Sequence, residues 1–340
     1  MQKLIYFVNI CFGVALIASY VSPWVNPETF EYISLFGLFF PIFVFVNILF
    51  VLYWIFKKGR YAIFSTLVLL LGWSSLGGLL QMGNSETSEE DTIRILSYNV
   101  RGLHIKSNDT KTIDSMTDYF KNNQRDIDVF CFQEKGRSDE TLLHKILPDH
   151  EYVGSIFGIA IFSKHPILNK GVLKVGGNTG EAVWADIKFP SGTARVYSFH
   201  LSSNLISKQT DALLEEVELN EETWIGFKGI LRSYTSHAVK RKQQLDVLMD
   251  HVRKSPYPVV LAGDMNDVPQ SYVYRLFTKD RKDSFREKGK GLGVTFGDTY
   301  PFLRIDYILP DNRFEIHSHD VNKIQFSDHY PVRANLSLKK

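Results

Sequence analysis

Three long stretches near the N-terminus carry no charged residue: about Leu4–Val21, Tyr32–Phe56 and Tyr61–Leu80. A helix needs roughly 20 apolar residues to cross the ~30 Å hydrocarbon layer of a bilayer. All three runs are long enough, the first by a narrow margin. A buried core helix is the alternative, but core helices rarely run so far without a charge. The expectation is therefore a membrane anchor of three transmembrane helices within residues 1–80. A cleavable signal peptide would also start with a basic residue such as Lys3. Two further runs follow at once, however, and they favour an anchor.

The basic residues suggest an orientation. Lys3 precedes the first run, and Lys57, Lys58 and Arg60 lie between the second and third. Three spans put those two regions on one side, which the positive-inside rule makes cytoplasmic. The loop 22–31 holds Glu28 and Glu31 and no basic residue, which suits the outer side. Residues 91–340 are then expected outside the cytoplasm, periplasmic or extracellular; in a Gram-negative cell the anchor would sit in the inner membrane. Gln81–Asp91, with its Ser, Asn, Gly and acids, reads as a polar linker.

Residues 1–90 hold only four of the 39 Lys and Arg and five of the 37 Asp and Glu. The remainder, residues 92–340, has the composition of a normal globular domain and ample length for a large core. Its slight positive balance is too weak to argue for a polyanion partner. The two cysteines, Cys11 and Cys131, form no metal-binding spacing and read as buried small apolar groups.

Apolar, β-branched runs recur through this domain: Ile93–Val100, Val129–Phe132, Ile159–Phe162, Val183–Ile187, Ala194–Phe199, Val259–Ala262, Arg304–Leu309 and Pro331–Leu336. Helical patterns over Thr110–Asn122, Lys208–Phe227 and His237–Lys254 fall between them. Alternating strands and helices indicate a layered α/β domain. Gly289-Lys-Gly291-Leu-Gly293 does not match a phosphate-binding glycine pattern and reads as a turn. Lys240-Arg241-Lys242 reads as a solvated helix face, and His104, His144, His165, His237, His251, His317 and His319 belong to no motif.

The strand ends are more informative. Asn99, Glu134, His200, the Asp264-Met-Asn266 pair, Asp306 and the Asp328-His329 pair all sit at or next to apolar strands, where an unpaired polar group is costly to bury. If the strands pack in sheets, these groups can meet at one rim. Glu134, Asp264, Asp306 and Asp328 would repel one another there unless protonated or bound to a cation. Carboxylate and amide oxygens without thiolate select a hard ion, Mg²⁺ or Mn²⁺. Taken singly, each residue has a plainer reading. Asn99 could be a turn residue, Asp306 could pair with Arg304, and His329 could be a satisfied core histidine.

The ordered set Ser97-Tyr-Asn99-Val, Gln133-Glu134, Phe199-His200-Leu, Gly263-Asp264-Met-Asn266-Asp-Val-Pro, Arg304-Ile-Asp306-Tyr-Ile and Ser327-Asp328-His329-Tyr-Pro-Val resembles the endonuclease/exonuclease/phosphatase superfamily. Each motif alone is weak; six in order carry the resemblance. It implies a four-layer α/β sandwich of the DNase I-like kind and Mg²⁺-dependent hydrolysis of a phosphate ester. By the resemblance, Glu134 would bind the metal with Asn99 beside it, and Asp328 would support that region. Asp264 would orient or deprotonate the attacking water, and Asn266 would donate to a phosphate oxygen. His329 would contact the scissile phosphate with its ring fixed by Asp306, and His200 would stabilise charge building on the phosphate. The resemblance also makes sphingomyelinase-like and deadenylase-like relatives equally close at His200.

The substrate class stays open between a lipid headgroup and a nucleic acid. No basic arm with interleaved aromatics is visible, which nucleic-acid binding would favour. The stretch Ser202–Tyr234 reads as an amphipathic helical insertion that either covers the site, touches lipid or packs on the sheets. No protein partner is legible. A catalytically inactive scaffold or binding module is the alternative to an enzyme, although a dead homologue usually lacks one of these polar residues and none is missing here.

Overall fold

The computed structural model describes residues 1–83, 92–102, 110–156, 158–176, 180–203, 221–297, 303–324 and 326–339. The helices in chain order are α1 (Gln2–Val21), α2 (Ile33–Leu38), α3 (Phe40–Lys57), α4 (Gly59–Leu71), α5 (Trp73–Leu76), α6 (Thr110–Asn123), α7 (Arg137–Ile146), α8 (Glu221–Arg253), α9 (Tyr272–Phe277) and α10 (Ser284–Lys288). The strands are β1 (Gln81–Met82), β2 (Ile93–Asn99), β3 (Val129–Gln133), β4 (Glu151–Gly154), β5 (Ala160–Ser163), β6 (Ile167–Gly176), β7 (Gly180–Phe189), β8 (Gly192–His200), β9 (Val259–Asp264), β10 (Lys290–Gly291), β11 (Asp306–Pro310), β12 (Phe314–Val321) and β13 (Val332–Leu338). Most of the expected linker 81–91, the N-terminal part of the expected helix 208–227 and most of the insertion 202–234 lie outside the described residues, as does His104.

The chain forms two compact units. The first comprises Met1–Leu80, the described residues of 204–242, and Asp267–Leu276; the second comprises the rest. Two helices of the first unit, not three, are long and apolar enough to span a bilayer: Gln2–Trp24 and Phe40–Lys57. The third run breaks at Gly72, leaving α4 with 13 residues, about 20 Å at 1.5 Å per residue and too short for the ~30 Å layer. A Cβ at Gly72 would meet the Tyr20 ring at 2.0 Å, so a larger residue there would have to displace that ring. With two spans, the parity that put residues 91–340 on the outer side no longer holds.

The helices of this unit are joined by a buried polar chain. Asn9 Nδ2 donates to Ser65 Oγ (2.5 Å), Ser65 Oγ to Asn47 Oδ1 (3.0 Å), and Trp54 Nε1 to Asn9 Oδ1 (3.0 Å). Cys11 is exposed rather than buried, being on the outward face of α1. Arg241, expected in solvent, is fully buried: Asp267 accepts from its Nε at 3.1 Å and Tyr234 donates to the same carboxylate at 2.9 Å. Gln270 donates to the Ser19 carbonyl (3.1 Å) and to Ser75 Oγ (3.3 Å), seating the segment 267–276 among the N-terminal helices.

The second unit holds two large sheets besides the short β1–β10 pair among the described residues. One has the order β12-β13-β2-β3-β5-β4 and the other β11-β9-β8-β7-β6. Within each, one pair is parallel (β2 with β3, β8 with β9) and the other pairs are antiparallel. Side chains alternate between faces along a strand, so each strand feeds two layers. Ile93, Ile95, Val129, Cys131, Val183, Ala185, Val196, Val260, Ala262 and Ile308 pack between the sheets. Leu96, Tyr98, Phe130 and Phe132 point the other way, onto Met116 and Phe120 of α6 and Leu143 and Ile146 of α7. On the far side, Tyr197 meets His251 of α8 at 2.8 Å and Phe199 stacks on Phe277 at 5.1 Å. Helix, sheet, sheet and helix make the expected four-layer α/β sandwich. The glycine run 289–293 is not wholly a turn: Lys290 and Gly291 form β10 against β1, and the chain turns at Leu292, with positive φ at Gly291 and Gly293.

Candidate active site

The inner face of each central strand changes from apolar to polar at the same end. On β2 the inward residues run Ile93, Ile95, Ser97, Asn99; on β3, Val129, Cys131, Gln133; on β8, Val196, Ser198, His200; on β9, Val260, Ala262, Asp264. Gln133 Nε2 donates to Ser198 Oγ at 3.0 Å, a polar step between the core and the rim. The period of 2 that buries the aliphatic residues therefore delivers Asn99, His200 and Asp264 to one place.

In the five-stranded sheet the rim residues share one register row. Asp306 of β11 faces Asp264 of β9, Asp264 faces His200 of β8, and His200 faces Glu181 of β7. From the other sheet, Asn99 Nδ2 donates to both Glu134 Oε1 and Asp264 Oδ2, each at 3.0 Å. His200 Nε2 lies 3.4 Å from Glu134 and 3.6 Å from Asp264. His329 Nδ1 is 2.9 Å from Asp306 Oδ2, and its Nε2 is 3.8 Å from Asp264. Asp306 thus pairs with His329, while Arg304 pairs with Asp283 at 2.8 Å.

Two sequence-designated residues are turned elsewhere. Asn266 donates its amide to the Leu201 carbonyl (3.0 Å) and to Asp264 (3.2 Å), and its backbone N–H donates to Asp264 Oδ1 (2.7 Å). Asp328 accepts from the Arg101 guanidinium and from Ser327 Oγ (3.0 Å). It belongs to neither group of residues spaced to hold a metal among the described residues.

Backbone conformation marks the same place. Arg101, Glu134 and Asn266 are the non-glycine residues with positive φ among the described residues (43°, 54° and 53°). Such conformations cost roughly 1–3 kcal/mol each and concentrate at functional sites. Thr295 ties the Asp306–His329 pair together. Its Oγ1 accepts from the backbone N–H groups of Ile305 (3.0 Å) and Asp306 (3.1 Å), and its carbonyl accepts from Tyr330 N (2.7 Å).

The electrostatics follow from burial and like charge. Burial, reinforced by Asp306, raises Asp264 to about 6 against the pull of His329 and His200. Burial would lower His329, but Asp306 and Asp264 outweigh it and raise it to about 10. Burial would raise Glu134, yet His200, Asn99, His329 and Arg101 hold it below the usual carboxylate value. Donor atoms of Glu134, His200 and Asp264 lie within 4.8 Å of one another, as do those of Asp264, Asp306 and His329. His200 Nε2 and Asp306 Oδ1 are buried without a hydrogen-bond partner among the described residues. Oxygen-rich donors with unspent acceptors fit a hard divalent cation, which would relieve the crowding of negative charge.

Sequence reasoning missed Glu181, Arg101 and Thr295. Glu181 carried a signal: an acid opening an apolar strand at the rim where the other polar residues collect. Thr295 and Arg101 carried none, since both act through backbone or loop partners.

A layered α/β sandwich with an acid- and imidazole-lined rim defines a phosphoesterase fold. The model of the Endonuclease/Exonuclease/phosphatase family matches residues 96–329, and the chain belongs to that family. Its members are phosphoesterase hydrolases, generally dependent on divalent metal. A second model, for a domain of unknown function, matches residues 2–79. None of the curated proteins matches the chain. Among solved structures, an endonuclease/exonuclease/phosphatase from Bacteroides vulgatus is similar at 18% identity and TM-score 0.56, covering 74% of this chain and 100% of that one. The mannosyl-6-phosphatase of Bacteroides thetaiotaomicron is similar at 18% identity and TM-score 0.52, covering 72% and 100%. TDP2 of D. rerio, complexed with a single strand DNA product, is similar at 16% identity and TM-score 0.53, covering 72% and 99%. Likeness at these identities establishes the shared fold.

Proposed function

We propose that the chain is a membrane-anchored, metal-dependent phosphodiesterase that cleaves its substrate by in-line attack of water. The observation that carries this reading is the meeting of Asn99, Glu134, His200, Asp264 and the Asp306–His329 pair at one rim. The anchor reading rests on Gln2–Trp24 and Phe40–Lys57, whose mean hydropathies are 2.1 and 2.0.

Glu134, with Asn99 beside it, would hold Mg²⁺ or Mn²⁺; bound there, the cation supplies charge stabilisation to a phosphate oxygen. Asp264 is fully buried and held by the Asn266 N–H and the Asn99 amide. In that position it orients a water and accepts its proton as the water attacks phosphorus, while the opposite P–O ester bond breaks and the alcohol leaves, taking its proton from solvent. His329, kept protonated by Asp306, donates to a non-bridging oxygen as charge accumulates. His200 faces the same space from β8 and adds a second donor on the developing charge. Asn266 serves by fixing Asp264 rather than by reaching the phosphate.

The test uses the full-length protein in detergent and bis(p-nitrophenyl) phosphate. Release of p-nitrophenol is expected to require added Mg²⁺ or Mn²⁺, to stop with EDTA, and to fall at least ~10²-fold in Glu134→Ala and in His329→Ala. Turnover indifferent to chelator and to both substitutions would defeat the reading.

A further inference from the structure

Glu181 is a buried member of the rim row that the reaction above does not use. It sits directly across from His200 in the β7–β8 register, and the row runs on through Asp264 to Asp306. Val183, Ala185 and Ile187 of the same strand point into the core between the sheets, so Glu181, two residues before Val183, lies on that same face. Its side chain is nearly completely buried, at 3% exposure, and its Oε2 has no hydrogen-bond partner among the described residues. A buried carboxylate oxygen without a partner weakens the fold, and Lys174, the exposed residue opposite Glu181 on β6, makes no hydrogen bond to it. The polar atom is held for something that arrives.

Its place in the row says what arrives. Adjacent strands are ~4.8 Å apart, so Glu181 lies one strand beyond His200, and the Asp264–Asp306–His329 cluster lies on the other side of His200. A phosphate over Asp264, His200 and His329 points one of its two ester groups toward β7. That group meets the Glu181 carboxylate first, with the exposed Lys174 of β6 next in register beyond it. An alcohol bearing hydrogen-bond donors gains there.

Resting on the phosphodiesterase reading, we propose that Glu181 is a specificity-determining residue that selects esters whose alcohol on the β7 side carries an ammonium or hydroxyl donor. The substrate class is an amino-alcohol or polyol phosphodiester.

The experiment compares two matched esters, p-nitrophenyl ethyl phosphate and p-nitrophenyl 2-aminoethyl phosphate, on the full-length protein. The wild type is expected to favour the aminoethyl ester in kcat/KM by about tenfold or more, the scale of a hydrogen bond to a charged group. Glu181→Gln, of equal size, should bring that ratio close to one, and Glu181→Asp, which keeps the charge but shortens the reach, should give an intermediate ratio. A ratio unchanged in Glu181→Gln overturns the proposal. Affinity of ethyl phosphate and 2-aminoethyl phosphate, measured by calorimetry on the wild type and Glu181→Gln, decides the point independently of turnover. If neither ester is cleaved, the reaction reading fails, while a binding preference lost in Glu181→Gln still supports this one and equal binding refutes it.

Discussion

The Nδ1 atom of His329 lies 2.9 Å from Oδ2 of Asp306, a contact across 23 residues that joins the loop before β13 to the first residue of β11. The pair fixes the ring so that its other nitrogen faces Asp264. It also determines the proton inventory of the site.

The pH profile should register that contact. Burial alone favours neutral imidazole, and Asp306 is the largest opposing influence, so His329 holds its proton up to about pH 10. Activity that needs the imidazolium is expected to stay level toward pH 10 and fall above it. In Asp306→Asn the opposing charge is gone, and the alkaline fall should move to lower pH, with kcat reduced by about 10². An alkaline limb at the same pH in both proteins would show that His329 is not the titrating donor.

Cation binding should separate two acids that the sequence treats alike. Glu134 faces Asn99, His200 and Asp264, whereas Asp328 is engaged by Arg101 and Ser327. Glu134→Gln is expected to weaken Mn²⁺ binding by at least ~tenfold in calorimetric titration, and Asp328→Asn to weaken it less. The reverse order would place the metal nearer Asp328.

Acid stability has a source remote from the site. His319 is fully buried with its Nδ1 2.8 Å from Ser284 Oγ, and burial, only partly offset by Asp283, pushes it down to about 4. A histidine depressed on folding binds fewer protons in the native state. The stability it contributes is whole above its unfolded value of about 6.5 and is lost as pH falls through about 4. His319→Asn should flatten the loss of urea-unfolding free energy between pH 6.5 and 4. An equally steep loss in the variant would assign acid sensitivity to other groups.

Asn47 should be required by the helical unit. Ser65 donates to its Oδ1, and its Nδ2 donates to the Phe12 and Phe43 carbonyls at 3.2 and 2.9 Å. Asn47→Leu is expected to cost about 1 kcal/mol in detergent unfolding, typical of interhelical polar contacts in membranes. A loss confined to the noise would mean that apolar packing alone holds α1, α3 and α4.

Much of the site was legible because the strands that carry it are buried on both faces. Val259-Val-Leu-Ala-Gly-Asp264 has no polar residue until the one that matters, so a run of aliphatics points directly at its terminal acid. Strands at the margins gave no such signal. β6 alternates imperfectly and is largely exposed, and β12 carries Glu315, His317, Ser318, His319 and Asp320 in a strand that follows no apolar run. Glu181 escaped because an apolar pattern marks where a strand becomes hydrophobic, not where pairing begins. Arg241 escaped because charge predicts solvent unless the partner, here Asp267, is known. The third apolar run was misjudged for a related reason. Hydropathy counts residues, whereas α4 stops at its C-terminal Gly72 after 13 residues.

The seating of Gln270 on the Ser19 carbonyl and Ser75 has a practical corollary. Segment 267–276 therefore belongs to the helical unit although it follows Asn266 directly in the chain. Cutting away residues 1–80 would strip that segment of its hydrogen-bond acceptors, and a feeble excised fragment would then report on surgery rather than on catalytic competence.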